Sequence, residues 1–564
     1  MKNREYTVSD AILDTLKAHG VNTIFGYPGG TVIPFYDVLK DHSEIQHVLV
    51  RNEQGAAFAA SGFARSTKKI GVCIGTSGPG ATNLVTGIAD AYLDSVPILC
   101  FTGQVPLGVI GKDAFQEVDM TGITLNITKH NYIVYDPSKI VKIVTEAIKV
   151  ATSGRPGPVH IDLPKDMQSV IHPKKFSIPD IKLHYDPQMK AYKPLKKSLI
   201  ENIVTDLKKA KKPLLLIGHG VKLSSAETEI NKLINFLKIP TVHTLLGKGI
   251  LPETQKYNLG MLGMHGFYHC NMATFNADFI INIGSRFDDR IVGTYDSFQK
   301  GKKIVHVDID DSELNKLIDT DYPVHSDAKQ FINELLQYQK ISKLNIKNWW
   351  EQIYNWQKEK PYEKETKFFS VRNGLNGIMK EVNKNQEQFI IVTDVGQHQM
   401  WAALSCTINN SLQWLSSGGA GTMGFSLPNS IGAAFANKNK TIICIVGDGS
   451  LQMNIQELQL LKHHNLNIKV CVFNNNYLGM VRQWQDLFYE KNYSGVEISS
   501  PDYIKLAEAY GIKGYRITAD QDIPKNHNQI FSSKGPCLIE YCVEKEDNVL
   551  PMVQAGKTLN DTMT

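Results

Sequence analysis

Two apolar runs, residues 441–446 and 468–473, stop abruptly at Gly447-Asp448-Gly449-Ser450 and Asn474-Asn475-Asn476. Short apolar segments rich in Ile and Val, here broken only by Lys469 and opened by Thr441, suit strands buried on both faces of a parallel sheet. Leu451, Ile455, Leu458 and Leu461 lie between them at helical spacing, which predicts a helix over 451–463. A strand, helix, strand crossover brings both polar tips to the same carboxyl edge of one sheet. There the Asp448 carboxylate and the Asn475 amide oxygen suit a hard cation such as Mg²⁺, whose other positions go to waters and phosphate oxygens. Gly447, Gly449 and the open amides of the following helix suit a diphosphate. Gly-Asp-Gly alone is better explained as a tight turn with an Asp cap. It is the complete unit that points to a phosphate ligand.

The rest of the chain narrows the class of protein. At 564 residues and 42% hydrophobic content it can build several cores, and roughly two to four domains are expected. A formal charge of +5, from 61 basic and 56 acidic residues, is spread along the chain and argues against nucleic acid as the main partner. The eight cysteines form no C-x-x-C pair and fall mostly in apolar stretches, as free thiols in a reducing cytosol do. No basic-then-apolar signal opens the sequence and no apolar stretch reaches membrane-spanning length. The expectation is a cytoplasmic protein that engages no membrane.

Three blocks alternate helical and strand patterns, which predicts an α/β fold of three doubly wound, mainly parallel sheets. Residues 1–185 contain strand signals at 47–50, 70–74 and 98–101. A proline- and lysine-rich stretch over 171–194, including Pro179 and Pro187, reads as a linker. Residues 195–345 open with a helix over 199–208 and contain strands at 213–217, 279–283 and 304–307, ending toward a polar region that holds Trp349, Trp350 and Trp356. The third block covers 368–564.

Glu53 stands where a strand becomes a small-residue helix, in Arg51-Asn52-Glu53-Gln54-Gly55-Ala56-Ala57. Taken alone it is an exposed first-turn carboxylate, favoured there by the helix dipole. Gly75-Thr76-Ser77-Gly78-Pro79-Gly80-Ala81-Thr82-Asn83 follows another strand and opens another helix, and such a turn permits tight packing or close approach of a ligand. Gly218-His219-Gly220 is a weak dinucleotide signal, and a structural turn is the safer reading.

The unit Gly-Asp-Gly-Ser, helix, Asn-Asn resembles the diphosphate motif of thiamine diphosphate (ThDP) enzymes. Further motifs occur in the order found in acetohydroxyacid synthase, also called acetolactate synthase: Tyr27-Pro28-Gly29-Gly30, Arg51 to Ala57, Gly75 to Asn83, Asp113-Ala114-Phe115-Gln116-Glu117, Met264-His265-Gly266, Arg286-Phe287-Asp288-Asp289-Arg290, Gly421-Thr422-Met423-Gly424 and Gly479-Met480-Val481-Arg482-Gln483-Trp484. The matches run from about residue 7 to about 557, and the chain resembles the catalytic large subunit of that family.

The resemblance implies a pyrimidine-binding domain over 1–185, a central FAD-binding domain over 195–345 and a diphosphate-binding domain over 368–564. It implies that Asp448, Asn475 and the Tyr477 carbonyl hold Mg²⁺. ThDP would be lined by Glu53, Asn83, Val395, Gly396, Gln397, His398, Gly421, Met423, Gly447, Gly449, Ser450, Tyr477, Gly479 and Met480. FAD would meet Arg155, Met264, His265, Gly284, Ser285, Arg286, Asp308 and Asp310. Glu53, Gln116 and Lys165 are the implied catalytic groups, and Gly30, Phe115, Arg290 and Trp484 the implied substrate contacts. A carboxyl at Glu53 would favour the imino form of the coenzyme's aminopyrimidine, which removes the thiazolium proton. The implied substrates are small 2-oxo acids: two pyruvates give 2-acetolactate, and pyruvate with 2-oxobutyrate gives 2-aceto-2-hydroxybutyrate, on the route to valine, leucine and isoleucine. A homodimer or tetramer and a separate small regulatory subunit are also implied. Without the resemblance, Trp484 and Phe488 would read as a helix core stripe, Arg290 as a surface ion-pair residue and Lys165 as a plain first-turn lysine. Asn52 stands where the family usually carries His. A pyruvate oxidase or other ThDP decarboxylase would share Glu53, Asp448 and Asn475 but not Arg290 and Trp484 in these contexts. A non-catalytic nucleotide-binding module would leave Glu53 unexplained.

Overall fold

The computed structural model describes residues 4–174, 194–338, 344–362, 366 and 368–564. The linker expected over 171–194 falls largely at 175–193, outside the described residues. Three six-stranded sheets follow one another along the chain, and every strand pairing in them is parallel. The first contains β1 (Thr23–Gly26), β2 (Gln46–Leu49), β3 (Gly71–Gly75), β4 (Ile98–Gln104), β5 (His130–Ile133) and β6 (Val159–Pro164), in the order β2-β1-β3-β4-β6-β5. The second contains β7 (Pro213–Ile217), β8 (Thr241–His243), β9 (Asn258–Met261), β10 (Phe279–Ile283), β11 (Lys303–Asp308) and β12 (Tyr322–His325), in the order β9-β8-β7-β10-β11-β12. The third contains β13 (Phe389–Thr393), β14 (Trp414–Ser416), β15 (Thr441–Gly447), β16 (Ile468–Asn474), β17 (Lys513–Ile517) and β18 (Cys537–Cys542), in the order β14-β13-β15-β16-β18-β17.

The first and third sheets therefore share one winding, while the middle sheet has the 3-2-1-4-5-6 order of dinucleotide-binding folds. In each sheet the order reverses beside the first strand, and in open α/β sheets ligands enter at the carboxyl ends of the strands flanking such a reversal. Those positions are the turns after β1 and β3, after β7 and β10, and after β13 and β15.

The runs 441–446 and 468–473 form the paired strands β15 and β16, as their composition predicts. The helix expected over 451–463 is instead broken into Asp448–Met453, a 3-10 turn Ile455–Glu457 and Leu458–His463. Asn454 leaves the helical region at φ −136°, and its side-chain amide donates to the Gly424 carbonyl at 2.8 Å. A tertiary hydrogen bond thus outweighs local helix continuity. Seven of the eight cysteines are buried, and all are free.

The first and third units share a core. The helices Glu53–Thr67 and Ser426–Ala436 press backbone to backbone, with Phe58 and Phe425 edge to face at 5.6 Å. A Cβ at Gly62 would stand 2.0 Å from the Asn429 carbonyl oxygen, and one at Gly432 would stand 1.8 Å from that of Ala59. Only glycine permits this approach, which locks the helix that begins at Glu53 onto the third unit. Trp349, on the helix Lys347–Glu359, is buried against the central unit and donates its indole N–H to the Pro213 carbonyl at 3.1 Å.

Candidate active site

The turn after β15 begins a helix directly at Asp448, so this carboxylate sits at the open-amide end of the crossover. It is 2% exposed and accepts from the Ser500 hydroxyl at 3.2 Å. Burial pushes it up to about 6. After β16, the Asn475 side-chain oxygen accepts the Tyr477 amide at 3.0 Å. Among the described residues no three His, Cys, Asp or Glu side chains cluster as metal ligands; the oxygen donors at this edge are one carboxylate, one side-chain amide and one backbone carbonyl. Asp448, Asn475 and the Tyr477 carbonyl are the hard oxygen donors that Mg²⁺ prefers.

Gly447 faces His398 closely enough that a Cβ would stand 2.9 Å from the ring. The His398 Nε2 atom is buried without a partner, and burial holds the imidazole down to about 3, hence neutral. An unpaired buried ring nitrogen beside a glycine turn fits a polar ligand that completes it. At Gly449 a Cβ would meet Leu478 at 2.8 Å and the Met423 methyl at 3.7 Å, and at Gly479 it would meet the Gln397 side-chain oxygen at 2.1 Å. Ser450 donates to the Val395 carbonyl at 3.3 Å. Asp394, fully buried at the end of β13, accepts the amides of Val395, Gly424 and Ser426 at 2.9, 3.0 and 2.7 Å. The sequence-selected groups of the third unit are thus brought together at one sheet edge.

A cavity of about 750 Å³ runs from this edge into the central unit. Val395, Gly396, Gly421, Met423, Met480 and Trp484 line one end, and Met264, His265, Gly284, Ser285, Arg286 and Asp308 line the other, with Arg155 and Arg290 also on its wall. Gly218 and Gly220 press on Gly284 at the reversal between β7 and β10, where a Cβ on Gly218 would stand 2.1 Å from the Gly284 oxygen. Gly284 itself adopts φ +68°, in the region that favours glycine. The Ser285 hydroxyl is buried and unpartnered. A dinucleotide fits such a glycine crevice with a free hydroxyl. Arg155 pairs with Asp310 at 3.1 Å and Glu313 at 2.9 Å, so Asp310 steadies Arg155 without lining the cavity itself. Burial raises Asp308 to about 6. Arg290 is exposed, 3.6 Å from Asp289, and its guanidinium reaches the Met264 sulfur at 3.2 Å. Trp484 is half-buried against Phe488, with ring centroids 5.1 Å apart, and faces the cavity instead of a core.

The first unit holds a separate cluster. Glu53 is 8% exposed, not the solvated carboxylate that its first-turn position suggests. Its carboxylate accepts the Asn83 amide at 3.0 Å, and a Cβ at Gly80 would stand 3.0 Å from its other oxygen. Asn52 caps the helix, accepting the Gln54 amide at 2.8 Å. Gln116, at φ +61°, packs on Gly78. Phe115 is 88% exposed, and Gly30 and Lys165 are also exposed. None of these residues lines the cavity, and neither do His398, Gly447, Asp448, Gly449, Ser450, Asn475 and Tyr477 of the third unit.

Several buried polar residues escaped the sequence reading. Glu457 is fully buried, and one of its oxygens accepts the amides of Arg51 at 2.9 Å and Asn52 at 3.0 Å, the two residues before Glu53. Its other oxygen has no partner, and burial pushes the carboxyl up to about 7. Its signal was a charge inserted between Ile455 and Leu458 on an otherwise apolar stripe. Asp90, Asp94 and Asp394 carried no comparable signal, because their partners lie far away in sequence.

Comparison with known proteins gives three family matches. The description "Thiamine pyrophosphate enzyme, N-terminal TPP binding domain" matches residues 6–123, its central domain residues 200–335 and its C-terminal TPP binding domain residues 394–541. An acetolactate synthase large subunit of Lactococcus lactis is 46% identical over 554 residues, covering 97% of this chain and 94% of the relative. The acetolactate synthase large subunit of Cyanidium caldarium is 43% identical over 97% of this chain and 95% of its own length. A probable acetolactate synthase large subunit of Methanocaldococcus jannaschii is 42% identical over 98% and 94%.

Proposed function

The chain belongs to the acetolactate synthase large subunits of the thiamine pyrophosphate enzymes, and from that premise we propose how its residues divide the work. The activity is ThDP-dependent acetolactate synthesis for branched-chain amino acids. When bound, ThDP supplies a carbon nucleophile and an electron sink for decarboxylation of a 2-oxo acid, which no side chain offers. Asp448, Asn475 and the Tyr477 carbonyl would hold Mg²⁺. His398, Gly447, Gly449 and Ser450 receive the diphosphate, and Met423 supports the middle of the coenzyme. The observation that carries this reading is the unpaired His398 nitrogen beside the Gly447-Asp448-Gly449 turn.

Glu53 exchanges the proton that activates the coenzyme, and Asn83 orients it. Glu53 belongs to the first unit and Asp448 to the third, and we assign each complete site to two chains, with Glu53 from one protomer facing the diphosphate unit of its partner. The exposed Phe115, Leu125 and Ile33 on the first unit, at 88%, 65% and 57%, and Met453 and Val481 on the third, at 53% and 49%, support burial by a second copy. The domains are taken as 1–185, 195–345 and 368–564, and a separate regulatory subunit completes the assembly. Ser285, Arg286, Met264, His265 and Asp308, with Arg155, would hold FAD in the central crevice, in a structural role. Flavin reduction coupled to turnover would overturn that role.

Arg290 clamps the carboxylate of the second 2-oxo acid, and Trp484 forms the wall against its methyl group, with Gln116, Lys165, Gly30 and Phe115 closing the site from the partner chain. The direct test supplies pyruvate and 2-oxobutyrate together and identifies both products by mass spectrometry. Acetolactate formation without oxidant or phosphate is expected, and its absence with ThDP, Mg²⁺ and FAD present refutes the reading. Trp484→Ala is expected to lower preference for 2-oxobutyrate by roughly 10-fold, since one methylene in a shaped pocket is worth ~1–3 kcal/mol. An unchanged product ratio removes Trp484 from that role.

Cofactor loading should depend on pH through Asp448. Its carboxyl, raised to about 6, binds a cation only when ionised, so affinity for ThDP with Mg²⁺ is high above that value and falls as pH drops through it. Burying this charged carboxylate alone destabilises the fold above its unfolded value of about 3.9, and a cation offsets that penalty. The rise in thermal midpoint caused by ThDP and Mg²⁺ is therefore expected to be larger near about pH 7.5 than near about pH 5.5. Equal rises at both would exclude Asp448 as the titrating ligand.

A further inference from the structure

A buried charge cluster that takes no part in the chemistry lies beneath the loop facing the coenzyme. Arg65, on the helix Glu53–Thr67, reaches Asp90 at 2.9 Å and Asp94 at 2.8 Å, and both carboxylate side chains are 0% exposed. Asp90 lies on the helix Val85–Leu93 and Asp94 directly follows it. Apart from the Arg65 Nε–H, which donates to the Ser61 hydroxyl at 2.9 Å, the other bonds of the three side chains reach residues 416–422 of the third unit. Arg65 donates to the Ser416 carbonyl at 3.1 Å. Asp94 accepts the amides of Gly418 at 3.0 Å and Gly419 at 2.7 Å. Asp90 accepts the hydroxyls of Ser417 and Thr422, and the Ser417 oxygen accepts the Thr422 amide at 3.0 Å.

One guanidinium against two carboxylates leaves a net negative charge away from water, which is tolerable only when the remaining lone pairs find donors. The loop supplies four such donors, so the cluster depends on its conformation; the Gln399 amide adds a second hold, donating to the Ser416 hydroxyl and the Ser417 carbonyl at 2.9 Å each. Gly418, Gly419, Ala420 and Gly421 are exposed, with the Leu246 side chain close over Gly418 and Leu93 close over Gly419. Asp94 and residues 417–421 line the cavity together with Met423.

We propose that Arg65, Asp90 and Asp94 are positioning residues, which hold the loop over 416–422 in the geometry that presents Gly421 and Met423 to ThDP. This rests on the reading that the coenzyme lies against Met423. A cluster that only joined the two units would affect folding without affecting the coenzyme.

Two variants of the full chain separate these roles. Asp94→Asn sets an NH₂ group against Gly418, Gly419 or Arg65, all of them donors. Ser417→Ala removes a loop hydroxyl while leaving the ion cluster in place. Calorimetric titration with ThDP and Mg²⁺ is expected to show Kd raised about tenfold or more in each, the scale of losing a hydrogen bond to a charged group. Kd within about twofold of wild type in both folded variants, with only a lowered thermal midpoint in the absence of coenzyme, overturns the proposal. If Asp94→Asn does not fold, Ser417→Ala decides alone. Failure of the wild-type chain to bind ThDP would instead refute the coenzyme reading, so the two failures are distinct.

Discussion

Replacing Glu53 with glutamine is expected to lower kcat by ~10²–10⁴-fold while leaving the Kd for ThDP within a few-fold of wild type. Glutamine keeps the volume of a side chain that is 8% exposed and retains an acceptor for the Asn83 amide, 3.0 Å away. It loses the ability to give and take a proton. The loss should therefore appear in the rate at which bound coenzyme exchanges its acidic carbon-bound proton for deuterium, read by NMR after quenching. A normal exchange rate with low turnover would move the role of Glu53 to a later step. Weakened ThDP binding with normal exchange would make it a simple binding group.

This prediction concerns a carboxylate held from both sides of the chain. Glu457 accepts the two amides that precede Glu53, while the Gly62 and Gly432 contacts pin the same helix to the third unit. Placement of Glu53 is thus a property of two units that meet through backbone, where there is little slack for a side chain to repack.

Much of the fold was legible because strands buried on both faces need unbroken apolar runs. Residues 213–217 and 442–446 could be neither surface strands nor loops, and the structure places them inside parallel sheets as part of β7 and β15. The break at Asn454 was not legible, since its cause is a bond to Gly424, remote in sequence. The Asp90 and Asp94 partnership with residues 417–422 was hidden for the same reason. Trp484 and Phe488 had the spacing of a core stripe, but periodicity cannot distinguish a face that meets a core from one that meets a cavity. Gly218-His219-Gly220 gave a weak signal because glycine turns are common. Its significance depends on the 3-2-1-4-5-6 strand order and on the contact with Gly284, neither of which is a local property of sequence.

Asp448→Ala is expected to act at the opposite end of the coenzyme, raising the Kd for ThDP in the presence of Mg²⁺ by at least ~100-fold, the upper end of what losing an outer partner of a metal ligand costs. The carboxylate is 2% exposed at the open end of a helix, and the two neighbouring glycines leave no side chain to substitute for it. Alanine also relieves the burial that pushes this group up to about 6, so the coenzyme-free variant should be no less thermally stable than wild type. Only the stabilisation conferred by ThDP and Mg²⁺ should disappear. Saturating coenzyme should restore part of kcat here, and none in Glu53→Gln, because one substitution removes an anchor and the other a proton exchange. If the two variants responded alike to added ThDP and Mg²⁺, the division between an activating carboxylate and a metal-holding one would be wrong.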